Sequence, residues 1–138
     1  MRDRYDISKY EKIVVGLLIT IILIPAILLN ILDISNHKLI IGEDTISVGT
    51  ESFKIEDIKN VELVDDVYIK RRINGTRTLK ILTGLYELED ESKEASVYMY
   101  KNIKPYIKIE LDKKIIIYND KNSYDTKITY DNLINSIN

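Results

Sequence analysis

Residues 105–133 read PYIKIELDKKIIIYNDKNSYDTKITYDNL, and the apolar period changes part-way through. Ile107, Ile109 and Leu111 alternate with Lys108 and Glu110, the pattern of a strand with one face turned inward. Asp112 and Lys113 make a turn, and KIIIY (114–118) returns as the hairpin partner. Three consecutive isoleucines point to a strand buried on both faces or bridging a corner. Beyond them Tyr130, Leu133, Ile134 and Ile137 fall at i, i+3, i+4 and i+7, one stripe of a helix. Ser123 or Asp125 is placed to cap its start. The stripe needs an apolar surface to cover, and the open end of a sheet system supplies one.

Working back toward the N-terminus, short apolar runs with period two continue. HKLII (37–41) and TISV (45–48) flank GED, a hairpin turn. In FKIEDIKNVELV (53–64) alternation is interrupted by a turn and then resumes. LKIL and LYEL follow, with Gly84 between them. In ASVYMYK (95–101) Ala95, Val97 and Met99 take one face while Ser96, Tyr98 and Tyr100 take the other. The sum is about seven or eight short strands and one terminal helix, enough chain for a modest core.

Residues 13–32, IVVGLLITIILIPAILLNIL, contain no charge. As a helix they rise about 30 Å, the thickness of a hydrocarbon core. Pro25 is costly inside a soluble helix and better tolerated in a membrane, where a nearby hydroxyl such as that of Thr20 can satisfy the freed carbonyl. A cleaved signal peptide has a shorter apolar region and a small-x-small site, which is not evident here. A buried soluble helix is the other alternative, and it conflicts with apolar residues on every face. Arg2, Arg4, Lys9 and Lys12 precede the span, whereas only Lys38 follows within fifteen residues. The positive-inside rule then predicts a basic cytoplasmic tail over 1–12, a transmembrane helix over 13–32, and an extracytoplasmic domain over 36–138.

Bulk composition narrows the function classes. The 138 residues carry 20 basic and 22 acidic side chains, a net charge of −2 that exerts no global pull on nucleic acid. The absence of cysteine removes disulfides, thiolate catalysis and cysteine–zinc sites. His37 is the single histidine, too few for the usual metal site. The five glycines are scattered and form no phosphate-binding loop, and no serine lies in a nucleophile elbow. No catalytic residue, metal ligand or cofactor is therefore expected.

Three stretches remain as candidate sites. YIKRRINGTRT (68–78) concentrates Lys70, Arg71, Arg72 and Arg77, which can fork onto phosphate or carboxylate. Its bland counterpart is a solvated loop between strands, with Asn74 and Gly75 supplying the turn. ELEDESKE (87–94) gathers Glu87, Glu89, Asp90, Glu91 and Glu94 without the spacing of a calcium loop. It reads as an exposed hairpin tip, or as a surface that meets the basic stretch of a second copy. Tyr98, Tyr100 and Tyr106 would cluster near adjacent strands, as an exposed aromatic face for a peptide or glycan, packed across strands, or as a belt at a membrane interface.

Taken together, the C-terminal stretch resembles the end of bacterial pleckstrin-homology-like domains. The likeness lies in a PYI-x-I strand (105–109), an III-x-N strand (115–119) and a helix bearing Thr126, Tyr130 and Leu133. It extends weakly to FKIEDIKNVELV and to Asn74 and Gly75. It implies an α+β, mainly β, antiparallel barrel or sandwich closed by a C-terminal helix. It does not bring phosphoinositide binding with it, since a fold does not license a function. The expected role is a non-enzymatic module at the cell membrane that binds a protein or peptide, or a second copy of itself. The alternative is recognition of an anionic lipid or polymer through residues 70–77. The bilayer is a partner in either case, and nucleic acid is not.

Overall fold

The computed structural model describes residues 7–35 and 37–138. Arg2 and Arg4 of the expected basic tail, and the Lys9 side chain, lie outside the described residues. The chain divides into two compact units, one ending at Asn36 and one running from His37 to Asn138.

The first unit is a single helix, α1 (Ile7–Ser35). It is longer than the uncharged run because flanking Lys and Glu are themselves good helix formers. From Tyr10 to Leu28 its mean hydropathy is 2.3 and none of that window is buried. This helix is long and apolar enough to cross a membrane. Pro25 lies inside it. The Thr20 hydroxyl does not serve the carbonyl that Pro25 frees. It donates instead to Gly16 O at 2.8 Å, the ordinary bond of a helical threonine to the preceding turn.

The second unit is mainly β. A three-stranded meander joins β1 (Leu39–Ile41), β2 (Thr45–Val48) and β3 (Glu51–Lys54). A 3-10 turn, Ile55–Asp57, leads into β4 (Ile58–Val64). Then follow β5 (Ile69–Arg77), β6 (Ile81–Leu88), β7 (Glu94–Tyr100), β8 (Tyr106–Leu111) and β9 (Lys114–Tyr118). These make a six-stranded sheet in the order β4-β8-β9-β7-β6-β5.

The isoleucine run behaves as its composition demands. β9 is central, with Ile115 and Ile117 in one apolar cluster and Ile116 and Tyr118 in the other. Its pairing departs from the expected all-antiparallel plan, because β9 runs parallel to β7. The cause is the wide connection 101–105, which arches from β7 to β8 and leaves a strand's width between them. β9 enters that gap. Asn119, fully buried just past its end, fastens the arch: its side chain accepts from Tyr100 N (2.6 Å) and donates to Tyr100 O (3.0 Å) and Ile103 O (2.6 Å). Tyr98, Tyr100 and Tyr106 are therefore not on neighbouring strands. Tyr98 and Tyr106 are buried in opposite clusters, and Tyr100 packs edge-on against His37 at 4.5 Å, so no exposed aromatic face forms.

One face of the large sheet is covered by the three-stranded meander and by α2 (Ser123–Ile137). Leu133 is fully buried there, with Tyr130 and Ile137 packed beside it. The cap is Asn122 rather than Ser123 or Asp125: its side-chain oxygen accepts from Asp125 N at 2.8 Å, and the Asp125 carboxylate accepts from its amide at 2.6 Å. Ser123 bonds Lys104 O instead. Glu51 on β3 ties the two sheets by accepting from Ser96 (2.8 Å) and pairing with Lys114.

The opposite face is curled. Residues 65–68 link β4 at one edge of the sheet to β5 at the other, five Cα steps spanning at most about 18 Å. Flat, those edges would stand about 24 Å apart. The sheet must therefore bend into a trough, with the link crossing it as a strap. Val67 of the strap packs onto the second cluster, which includes Leu82, Tyr86, Met99 and Tyr106. β4 and β5 do not pair, so no closed barrel forms.

Candidate functional site

The basic stretch is not the loop its Asn-Gly pair predicts. It is β5, an edge strand paired only with β6. Gly75 faces Gly84 in the ladder, and Asn74 Oδ1 accepts from the Gly75 N–H at 2.7 Å. The register shifts after Ile69 and again after Arg72. These bulges change which side chains face the trough. Arg72 comes opposite Tyr86 and Arg77 opposite Leu82, both trough-facing residues, whereas Arg71 comes opposite Glu87.

The four predicted cations therefore fall into two groups around one cavity of about 780 Å³ that all of them line. Arg71 is forked onto Glu87, Nε to Oε2 at 3.3 Å with a second contact through Nη2. That partner, through hydrogen bonding first and charge second, holds the Glu87 carboxyl below the usual range, and Lys70 adds to the effect. Arg72 and Arg77 have no carboxylate partner among the described residues. Both act on the charge of Tyr86, whose ring is 2% exposed and whose hydroxyl is shut from water with no hydrogen-bond partner. Burial pushes the Tyr86 hydroxyl pKa up, and the two guanidinium charges pull against that.

The far wall adds Lys101 and Lys104, which sequence patterning did not single out. Lys104 pairs with Asp66 of the strap, and Lys101 donates to Thr78 O. Asp66 is the only carboxylate among the lining residues. Below this rim the floor is apolar, made by Leu82, Met99 and Tyr106. A buried hydroxyl lacking an acceptor, two unpaired guanidinium groups and a positive rim together fit one kind of guest, an oxyanion. Tyr86 was missed because in the alternation of β6 it reads as an ordinary core residue.

The acidic stretch is engaged in ion pairs. Glu87 pairs with Arg71, Glu91 with Lys108, and no group of carboxylates or histidine able to hold a metal occurs among the described residues. Within the chain one ion pair joins the acidic tip to the basic stretch, Glu87 with Arg71. Comparison with known protein families, curated proteins and solved structures finds no match.

Proposed function

We propose that the chain is a membrane-anchored, non-enzymatic binding module whose 37–138 unit recognises an anionic ligand at the mouth of the trough. The observation that carries this reading is the Tyr86 hydroxyl, buried without an acceptor, with the charges of Arg72 and Arg77 acting on it. A buried donor left unmade is costly, and a ligand oxygen would satisfy it once the side chains that shut the hydroxyl from water shift to admit it. In this reading α1 is a single-pass anchor with its basic N-terminus in the cytoplasm and the β-unit outside, supported by the flanking charge. Its likeness to bacterial pleckstrin-homology-like domains rests on the C-terminal helix laid over two sheets; the parallel β7–β9 pair departs from that plan.

The test uses the full chain in nanodiscs of zwitterionic lipid, titrated calorimetrically with inorganic phosphate and pyrophosphate. Changing Arg72 and Arg77 together to alanine should weaken binding about tenfold or more. Arg71→Ala should weaken it far less, since that guanidinium already serves Glu87. Absence of phosphate and pyrophosphate binding by the unaltered protein would remove the reading.

A second reading is a protein or peptide that adds a strand along β5, favoured by the unpaired outer edge of this nine-residue strand. The four cations on that strand would repel the same strand of a second copy, so an acidic segment is the better match.

A further inference from the structure

The cavity holds more than an oxyanion needs. At about 780 Å³ it lies in the range of sites that enclose a whole small organic molecule. Its polar groups stand along the rim, on β5 and at the arch, while Leu82, Met99 and Tyr106 make an apolar floor. Val67 and Ile69 are only half-buried and leave apolar surface open along the wall. A bare phosphate would leave that surface against water.

We propose that the cavity takes an anionic amphiphile, its oxyanion head between Arg72 and Arg77 and its hydrocarbon part along Leu82, Met99 and Val67. This rests on the anion reading above and specifies the ligand class. The hydroxyl of Tyr86, shut from water in the free protein, donates to the head once the side chains over it move aside. The strap sets the limit of the tail. Val67 also lines a second cavity of about 190 Å³ whose wall includes Leu88 and Ile117 of the same apolar cluster. Past Val67 the lining also carries Asp66, Asp90, Glu91 and Lys108, and a growing tail meets the Val67 side chain before it can extend further.

The experiment titrates the full chain in zwitterionic nanodiscs with inorganic phosphate, then ethyl, butyl and hexyl phosphate, then hexanol, with heats from empty nanodiscs subtracted. Affinity should rise about two- to fourfold for each methylene that enters the cavity, and level off once the tail reaches Val67. Hexanol should show no binding beyond that of the empty discs. Arg72→Ala with Arg77→Ala should lower hexyl phosphate affinity about tenfold. If inorganic phosphate binds and the alkyl esters bind no tighter, the amphiphile is wrong while the anion site stands. If none of the phosphates binds, both fall. Hexanol binding as well as hexyl phosphate would overturn the amphiphile, because its head would then add nothing, and the anion reading would stand or fall with inorganic phosphate. Replacing part of the nanodisc lipid with anionic phospholipid separates the sources: a weakened hexyl phosphate titration supports a lipid as the amphiphile, and an unchanged one supports a soluble molecule.

Discussion

Gly75 lies directly opposite Gly84 in the β5–β6 ladder, and both hold positive φ, 124° and 123°. A Cβ on Gly75 would sit 2.6 Å from Gly84 Cα, and one on Gly84 would be closer still to Gly75. Neither position can take a side chain without backbone movement, and L-residues resist that φ in any case. The pair lies between Arg72 and Arg77, so it also sets how β5 presents them. Gly84→Ala should cost about 1–3 kcal/mol, read as a lower melting temperature by circular dichroism of the full chain in nanodiscs. Phosphate affinity should fall with it. A variant as stable as the parent would mean that β5 and β6 do not approach this closely.

This glycine pair marks the limit of what the sequence makes legible. Asn74 and Gly75 carry ordinary turn chemistry, and only long-range pairing shows that the second glycine serves a crossing of two backbones inside a ladder. Period two disclosed the strands of residues 105–118 and which residues share a face, because alternation is a local property. It could not disclose that β9 lies between β7 and β8, because alternation does not name neighbours. The cationic cluster of the site was legible as composition. Which of its members stay unpaired depended on Glu87, which follows Arg71 by a whole hairpin, and on two bulges without a local signature.

The parallel pair depends on Asn119, so this residue should be hard to replace. From a site with no access to water, its amide accepts from Tyr100 N and donates to Tyr100 O at the end of β7 and to Ile103 O in the 101–105 arch. Asn119→Ala leaves Tyr100 N and two carbonyls without partners and should cost about 2–4 kcal/mol. Asn119→Asp should not rescue it, because a carboxylate cannot donate to Tyr100 O or Ile103 O and brings a buried charge. Hydrogen exchange at Tyr100 should quicken in both. Unchanged exchange there would show that the arch is held by something else.

Acid should weaken the joint between the two sheets. Burial alone would raise the Glu51 carboxyl, but hydrogen bonds from Lys114 and Ser96, with the Lys114 charge, outweigh it and hold it below the usual carboxylate range. A depressed folded value means that the unfolded chain takes up this proton at a higher pH than the folded one. The stabilisation is therefore complete above the ordinary glutamate pKa of about 4.3 and is lost as pH falls through the folded value. Glu110, depressed chiefly by its hydrogen bond with Lys93, acts in the same direction. Melting temperature should drop on going from pH 6 to pH 3, and Glu51→Gln should flatten that limb while lowering the plateau. An acid limb identical in Glu51→Gln and the parent would exclude Glu51 from the transition.

Tyr86→Phe separates a binding group from a structural one. In a structural role the hydroxyl would hold a partner, and its removal would destabilise the protein. Here it has none, so its burial costs free energy that the fold recovers elsewhere. Removing it takes away an unsatisfied donor and leaves the ring in the apolar cluster with Leu82 and Met99. The variant should therefore melt at the same temperature as the parent or a few degrees higher, by about 1 kcal/mol at most. Phosphate and hexyl phosphate should bind about five- to tenfold more weakly, the loss of one hydrogen bond to a charged group. Opposite signs for stability and affinity are the signature. Lower stability with unchanged affinity would assign the hydroxyl to the fold and take Tyr86 out of the site.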